Sequence, residues 1–256
     1  MFFFRKSKIV LDMFTDDSVI HDLTPPLPAV RYYPQWMKDL PVEKTKTSKI
    51  ESTGDLIPTP AVTIRACPGI HNYFGNGFIV PLWTDVTVSI KPDGMFSFAS
   101  AGPDFKIESH WPGQWSGYDD YTHMKFIVPW LASEKTGIEF MLQKPVWISN
   151  DNPILISKMV NAGGIANLRD QHSVHLNCFF EKPPQPVTFM LKLGTPLVHI
   201  IPLTEKRVIL KTHLVSKEEL RLMWRKKMAN TFTNTMLTRL SLLKSLKDES
   251  KCPYKF

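Results

Sequence analysis

The side chains best suited to acid–base, nucleophilic or metal chemistry come closest together in residues 172–178. His172 and His175 form an H-x-x-H pair, and Cys178 follows three residues after the second histidine. Polar and apolar residues alternate here, which predicts a strand, and strand positions three apart point to opposite faces. The two histidines therefore cannot readily share a metal ion, and Cys178 cannot use His175 as a base. We expect Cys178 to be a structural thiol.

Other signatures of catalysis are absent from the sequence. The chain has no phosphate-binding glycine loop, no dinucleotide fingerprint, no nucleophile elbow and no zinc-ribbon spacing. Its three cysteines, Cys67, Cys178 and Cys252, lie far apart, which favours reduced thiols in a cytoplasmic setting over a disulfide framework. The sequence therefore predicts no catalytic residue, no metal and no cofactor.

A second grouping, in residues 108–123, has the side chains of a recognition surface. Flat rings stand beside hydrogen-bonding groups at His110, Trp111, Gln114, Trp115, Tyr118 and Tyr121. Such a set can stack on nucleotide bases or sugars. The alternative interpretation is that these rings fold back and seal one end of the β structure.

A third grouping is a basic segment at the C-terminal end. Ser216 and Glu219 form a capping box, which predicts a helix beginning there. An apolar stripe follows at Leu220, Trp224, Met228, Phe232, Met236, Leu240 and Leu243. Residues 216–256 hold ten Lys and Arg against four Asp and Glu, a surplus of six out of the chain's net charge of +7. The sequence therefore predicts a basic, amphipathic helical arm, with a bend or break near 230–235.

Three roles are open for this arm. Its stripe could pack on the chain's own β core, with Arg221, Arg225, Lys226, Lys227 and Lys244 facing solvent. The same stripe could dock on a neighbouring subunit, with Trp224 as an anchor. The basic face could instead follow the phosphates of a nucleic acid.

The elements that must position these groups are mostly strands. Residues 61–90 predict two strands joined by a Gly/Asn turn, because residues 86–90 alternate with a period of two. Residues 34–41 predict one or two helical turns that begin at a proline, and the polar residues 42–59 predict an exposed loop. Turns are expected at 91–94 and at 135–137.

Counted to residue 212, these signals give roughly nine to eleven short strands, punctuated every 8–12 residues. We therefore predict a mainly β fold: a single sandwich or β-clip-like domain of antiparallel strands over residues 1–212, with the helical arm over 213–256. No apolar run approaches the roughly 18 residues of a membrane span. The N-terminal residues place apolar side chains before charges, the reverse of a secretory signal, so we expect neither export nor a membrane.

Several segments together resemble an uncharacterised family found in tailed phages and some bacteria. They are YYPQWMKDLP, CPGIHNYFGNGFIVPLWTDV, KFIVPWLAS, HLNCFF and LGTPLVHIIPL. The resemblance spans about residues 31–205 and rests on the C-P-…-G-F-I-V-P-L and G-T-P-L motifs. It implies a viral origin and brings no known activity with it.

The second half is also faintly similar to the β-clip fold of deoxyuridine triphosphatases and deoxycytidine triphosphate deaminases. The corresponding segments are 164–167 and 191–200. Asn167 stands where the resemblance would place the catalytic aspartate, and an amide cannot accept that proton. His199 replaces a glutamine, and the Ser-Gly phosphate motif is missing. The resemblance therefore implies a fold without the hydrolase chemistry.

These observations favour a non-enzymatic phage protein that works by binding, as a virion component or an assembly partner. Its partners would be other virion or assembly subunits, and nucleic acid through the arm. We expect it in the host cytoplasm during infection or in the virion. The alternatives are a β-clip nucleotide-binding protein or enzyme, and a carbohydrate-binding module built on Trp111 and Trp115.

Overall fold

The computed structural model describes residues 8–49, 53–102, 104–110, 117–145, 159–170, 174–229 and 236–237. The described chain is mainly β, which confirms the predicted fold class. The strands form several sheets of short, mostly antiparallel strands, and the helices are few.

Four α-helices are described between residues 8 and 229: α1 (Ser18–Leu23), α2 (Gln35–Asp39), α3 (Pro68–Gly75) and α4 (residues 217–229), and short 3-10 helices span Ala29–Tyr32 and Ile64–Ala66. The first eight strands are β1 (Ile9–Thr15), β2 (Leu27–Pro28), β3 (Glu43–Lys49), β4 (Leu56–Val62), β5 (Phe78–Pro81), β6 (Val86–Ile90), β7 (Phe96–Ser100) and β8 (Ile107–Glu108). The others are β9 (Tyr121–Phe126), β10 (Leu131–Glu134), β11 (Glu139–Gln143), β12 (Met159–Ala162), β13 (Gly164–Asn167), β14 (Leu176–Glu181), β15 (Val187–Leu191), β16 (Pro196–Pro202) and β17 (Val208–Leu214).

Four sheets make up the body of the protein. Their strand orders are β10-β1-β17, β13-β11-β16-β5-β2, β12-β14-β9-β8 and β15-β6-β7. One cluster of buried apolar side chains includes members from all four, among them Met13, Val88, Phe126 and Phe140. The sheets therefore share one hydrophobic core, whose burial supplies the main stabilising free energy of the fold.

Local signals at turns are confirmed where the structure describes them. In the turn at 91–94, Met95 N–H donates to an Asp93 carboxylate oxygen at 2.9 Å, and Gly94 has φ +85°. After β10, the carboxylate of Glu134 accepts hydrogen bonds from the N–H groups of Thr136 and Gly137 at 2.6 and 2.7 Å. The helical turns expected at 34–41 are α2.

The prediction of two strands joined by a turn over residues 61–90 is wrong, although residues 86–90 do form a strand with the predicted alternation. The segment between them is helix α3, which has Cys67 as its N-cap and Pro68 at its first position. Proline is favoured there, because its fixed φ suits a helix and its missing N–H has no partner to lose. Residues 78–90 also form two strands, β5 and β6, which lie in different sheets.

The prediction of a loop over residues 42–59 is also wrong, whereas the predicted exposure is confirmed for most of the residues that the structure describes there. Strands β3 and β4 form a separate antiparallel hairpin, in which none of the strand residues is buried. Threonines in β3 suit a strand, and backbone pairing with β4 satisfies its polar groups without an apolar pattern. At the hairpin's base, the Arg65 guanidinium donates to the carbonyl oxygens of Lys38 and Leu40 at 2.8 and 2.7 Å. The hairpin therefore projects from a fixed base.

The N-terminal strand β1 lies between β10 and β17, and it pairs with β17 in parallel. This pairing continues to Leu214, two residues past the boundary expected at 212, and α4 follows directly. The Ser216–Glu219 capping box is formed, since Glu219 accepts from the N–H of Ser216 at 2.9 Å and Ser216 Oγ accepts from the N–H of Glu219 at 3.3 Å. No helix among the described residues is long and apolar enough to cross a bilayer.

Candidate functional site

One concave surface lies where β9 and β14 pair and the turn between β6 and β7 reaches them. Its cavity has a volume of about 450 Å³. The lining includes His110, Tyr118 and Tyr121 of the predicted recognition segment, together with His123, Phe179 and Lys182. We call this surface the aromatic cavity. Trp111, Gln114 and Trp115, the other predicted members, lie outside the described residues.

The rings of the aromatic cavity form a packed series. Tyr118 stacks on Phe179, with ring centroids 4.5 Å apart, and meets Tyr121 edge-on at 5.8 Å. Phe179 is buried, whereas Tyr118 is 41% exposed. Tyr118 therefore folds back onto β14 while it keeps a large exposed fraction.

His123 forms the polar floor of the cavity. Its Nδ1 accepts the backbone N–H of His110 at 3.1 Å, so the ring proton lies on Nε2, which donates to Asn177 Oδ1 at 3.2 Å. The His110 ring packs on the His123 ring with centroids 4.5 Å apart. Burial is the largest cause that lowers the pKa of His123 to about 4, and the charges of His110 and Lys125 act in the same direction. The hydrogen bond with Asn177 has a smaller effect that raises the pKa. His123 is therefore a neutral hydrogen-bonding group at neutral pH.

The cation at the rim of the cavity is Lys182, which sequence reasoning missed. Its Nζ donates to the carbonyl oxygen of Asp119, and its backbone N–H donates to the carbonyl oxygen of Asp120 at 2.8 Å. These two bonds hold the acidic turn 119–120 against the end of β14. Asp119 and Asp120 themselves are exposed.

Two further members, His123 and Phe179, were also missed. Phe179 lies on the face of β14 opposite the one that carries Leu176 and Cys178, so the alternation of HLNCFF contained a signal for it. His123 had no such signal, because its role depends on Asn177 lying across from β9. Strand pairing, and not local sequence, brings these side chains together.

The neutral state of His123 makes stability depend on pH. An unfolded histidine has a pKa of 6.5, so between pH 6.5 and about 4 the unfolded chain binds a proton that the folded chain excludes. Stability is thus fully present above pH 6.5 and falls as pH drops towards 4, by at most about 1.4 kcal/mol per pH unit from this group. Denaturant unfolding at several pH values between 6.5 and 4 should show this slope of the free energy of unfolding against pH. His123→Asn, which keeps an acceptor for the His110 N–H, should reduce it, and an unchanged slope would contradict this assignment.

Cys178 is a core residue. The thiol is fully buried, donates to the carbonyl oxygen of Met124 at 3.3 Å, and has its pKa raised by burial. His175 points elsewhere, since its Nδ1 accepts the N–H of Val128 at 3.1 Å. His172 lies outside the described residues. Among those described, no group of three His, Cys, Asp or Glu side chains is placed to hold a metal ion.

The two positions singled out by the β-clip resemblance do not converge. Asn167 pairs with Glu139 at one end of β11, and His199 pairs with Gln143 at the other. Four residues of strand separate these pairs by roughly 13 Å. Asn167 accepts the N–H of Arg169 at 3.1 Å. His199 Nε2 donates to the carbonyl oxygen of Asn76 at 2.8 Å, so the two side chains make separate structural hydrogen bonds.

The arm begins with α4, in which no described residue is buried. Leu220, Met223 and Lys227 are half-buried against the body, whereas Trp224 and Met228 are 47% and 39% exposed. Lys227 differs from its expected solvent position, because its Nζ donates to the carbonyl oxygens of Leu168 and Arg169. Compared with the orientation in which the whole apolar stripe would pack on the β core, α4 is rotated about its axis. Its apolar stripe therefore lies partly in solvent.

Of the other predicted basic residues of the arm, three lie on the surface of α4, whereas Lys244 and the expected bend near 230–235 lie outside the described residues. Arg221 makes a two-pronged ion pair with Glu218 at 3.0 and 2.7 Å, and Arg225 and Lys226 are exposed. Beside them, an apolar groove of about 420 Å³ separates α4 from residues 127–131. Leu220 and Trp224 line its helical side.

The fold and these surfaces define a class: a mainly β protein whose sheets share one core and which carries two exposed appendages, the β3–β4 hairpin and α4. No family model, curated protein or solved structure matches the chain.

Proposed function

We propose that this chain is a non-enzymatic binding protein that assembles with other protein subunits, as a component or assembly partner of a virion. The observation that carries the proposal is that both appendages expose apolar side chains which the body does not cover. Val62 on the hairpin is 72% exposed, and Leu222 on α4 is 54% exposed. The viral setting rests on the sequence resemblance.

Energetics support a partner at both appendages. A two-stranded hairpin without a packed face is marginally stable by itself in water, and most of a short helix's stability comes from packing its apolar face. The hairpin has no buried strand residue, and α4 has no buried described residue. A second protein surface that covers them would supply the missing apolar burial.

The test is binding of the full chain to the structural proteins of a phage that encodes it. We expect the chain in purified virions by mass spectrometry, and we expect immobilised chain to retain at least one structural protein. Val62→Ser combined with Trp224→Ser should reduce retention at least tenfold, because each change removes exposed apolar contact area. Leu193→Ser, at a side chain 50% exposed outside both appendages, is the matched control and should retain the partner. Absence from virions together with no retained protein would reject the proposal.

The aromatic cavity supports a second candidate, the binding of a nucleotide or a sugar. Its volume suits a small ligand, Tyr118 offers a partly exposed ring for stacking, and Lys182 places a cation at the rim. A thermal-shift screen with deoxynucleotides tests the first ligand class, since a ligand at 100 times its dissociation constant adds about 2.7 kcal/mol of stability. Quenching of tryptophan fluorescence by glycans tests the second.

A further inference from the structure

The two edges of the β3–β4 hairpin differ in their capacity to accept another strand. Pro58 pairs with Thr47, and Pro60 pairs with Thr45. A proline has no N–H to donate to β3, so these two positions direct their backbone groups away from it. The outer edge of β4 therefore lacks two of its donors, and prolines at such an edge are a known protection against strand addition.

The outer edge of β3 is open. Thr63 N–H donates to the carbonyl oxygen of Val42 at 2.8 Å, so position 42 and the even positions that follow it in β3 face β4. The outward positions are Glu43, Thr45, Thr47 and Lys49. No other strand among the described residues pairs with this edge. It offers four N–H groups and four carbonyl oxygens in line.

The charges on these outward positions are self-complementary. Glu43 and Lys49 stand at opposite ends of β3, are both exposed, and have side chains on the same face of the hairpin. A two-fold axis between Thr45 and Thr47 would place each glutamate opposite the lysine of a second copy, because the strands then run antiparallel.

From this geometry, and resting on the proposed assembly function, we infer that β3 is a self-association edge. A second copy of the chain adds its own β3 antiparallel to the first, about a two-fold axis. The product is a continuous sheet in the order β4-β3-β3-β4. Glu43 pairs with Lys49 of the second copy and Thr45 with Thr47, each pair twice, as an isologous contact requires.

The other face of this sheet contains one unfavourable contact. In the same register, Lys46 of each copy lies directly opposite Lys46 of the other, and like charges at such positions are destabilising. This one repulsive pair is outnumbered by the two Glu–Lys pairs and two Thr–Thr pairs on the opposite face of the sheet. Removal of that repulsion provides a variant that should strengthen the association.

Sedimentation equilibrium of the full-length chain, from about 1 μM to about 1 mM, tests the inference. We expect a monomer–dimer equilibrium that Glu43→Lys and Lys49→Glu each weaken at least about tenfold, because each single variant opposes like charges twice. The double variant E43K/K49E restores opposite charges and should recover the wild-type dissociation constant. Lys46→Thr should tighten the dimer. Circular dichroism of each variant reports whether the fold is retained.

The outcomes separate this inference from the proposed function. A dimer that is weakened by both single variants and recovered in the double supports pairing through β3. A dimer insensitive to all three variants overturns the inference and leaves assembly through another surface. A monomer at every concentration also overturns it, whereas the proposed function then fails only if the chain is also absent from virions and retains no structural protein.

Discussion

Replacement of Gly77 by alanine should destabilise the protein by about 2–5 kcal/mol. Gly77 has φ +79°, and a Cβ built there would lie 2.1 Å from the carbonyl oxygen of Ile200 on β16. The left-handed conformation costs an L residue about 1–2 kcal/mol, and the overlap adds a further penalty of about 1–3 kcal/mol. The clash cannot be relieved by a flexible side chain, because both groups belong to the backbone. Urea unfolding of the purified variant measures the loss.

Gly194 provides the matched control for this substitution. It has φ +80°, but a Cβ there would meet no atom within 4 Å. Gly194→Ala should therefore cost only the conformational penalty, about 1–2 kcal/mol. Equal losses at the two glycines would show that Ile200 does not approach Gly77 as closely as the structure places it.

Replacement of Glu134 by alanine should cost about 2–4 kcal/mol. This carboxylate is 1% exposed and accepts the N–H groups of Thr136 and Gly137, which closes the turn between β10 and β11. Hydrogen bonds to a charged group contribute about 1.5–3 kcal/mol each, and part of that returns when water solvates the freed N–H groups. Denaturant unfolding gives the loss of stability.

The control for Glu134 is Glu139→Ala, on the adjacent strand β11. Glu139 is exposed, and its removal should change stability by no more than about 0.5 kcal/mol. Lys227 of α4, which donates to the carbonyl oxygens of residues 168 and 169, is also attracted by the charge of Glu134. Loss of this carboxylate should therefore weaken the attachment of α4 to the body. Similar losses for Glu134→Ala and Glu139→Ala would contradict the role assigned to the buried carboxylate.

Sequence patterns succeeded where a structure is encoded within a few residues. The capping box of Ser216 and Glu219 predicted where α4 begins, and the turns at 91–94 and 135–137 were correctly placed. Sequence patterns failed where the same local pattern is compatible with two different secondary structures. Residues 42–59 lack an apolar period, yet they form β3 and β4, because pairing of two polar strands satisfies the backbone without one. Residues 67–76, which hold two glycines and two asparagines, were predicted as a turn and contain α3 instead.

The residues of the aromatic cavity were also predicted only in part. His110, Tyr118 and Tyr121 were predicted from the clustering of rings in one segment, whereas His123, Phe179 and Lys182 were not. The bond between His123 and Asn177 joins residues 54 positions apart. A partner at that separation depends on which strands pair, and no local pattern specifies it. The rotation of α4 was missed for the same reason, since the Lys227 bonds reach 58 and 59 positions along the chain.

By itself the sequence determined that this protein is built mainly of short strands with a helix near its C-terminal end, because side-chain alternation, turn residues and helix caps act over a few neighbouring positions. Only the tertiary structure decided which strands pair, which side chains meet at the aromatic cavity and which hairpin edge stays open. Those choices depend on contacts between distant segments, whose free energy appears only when the core packs as a whole.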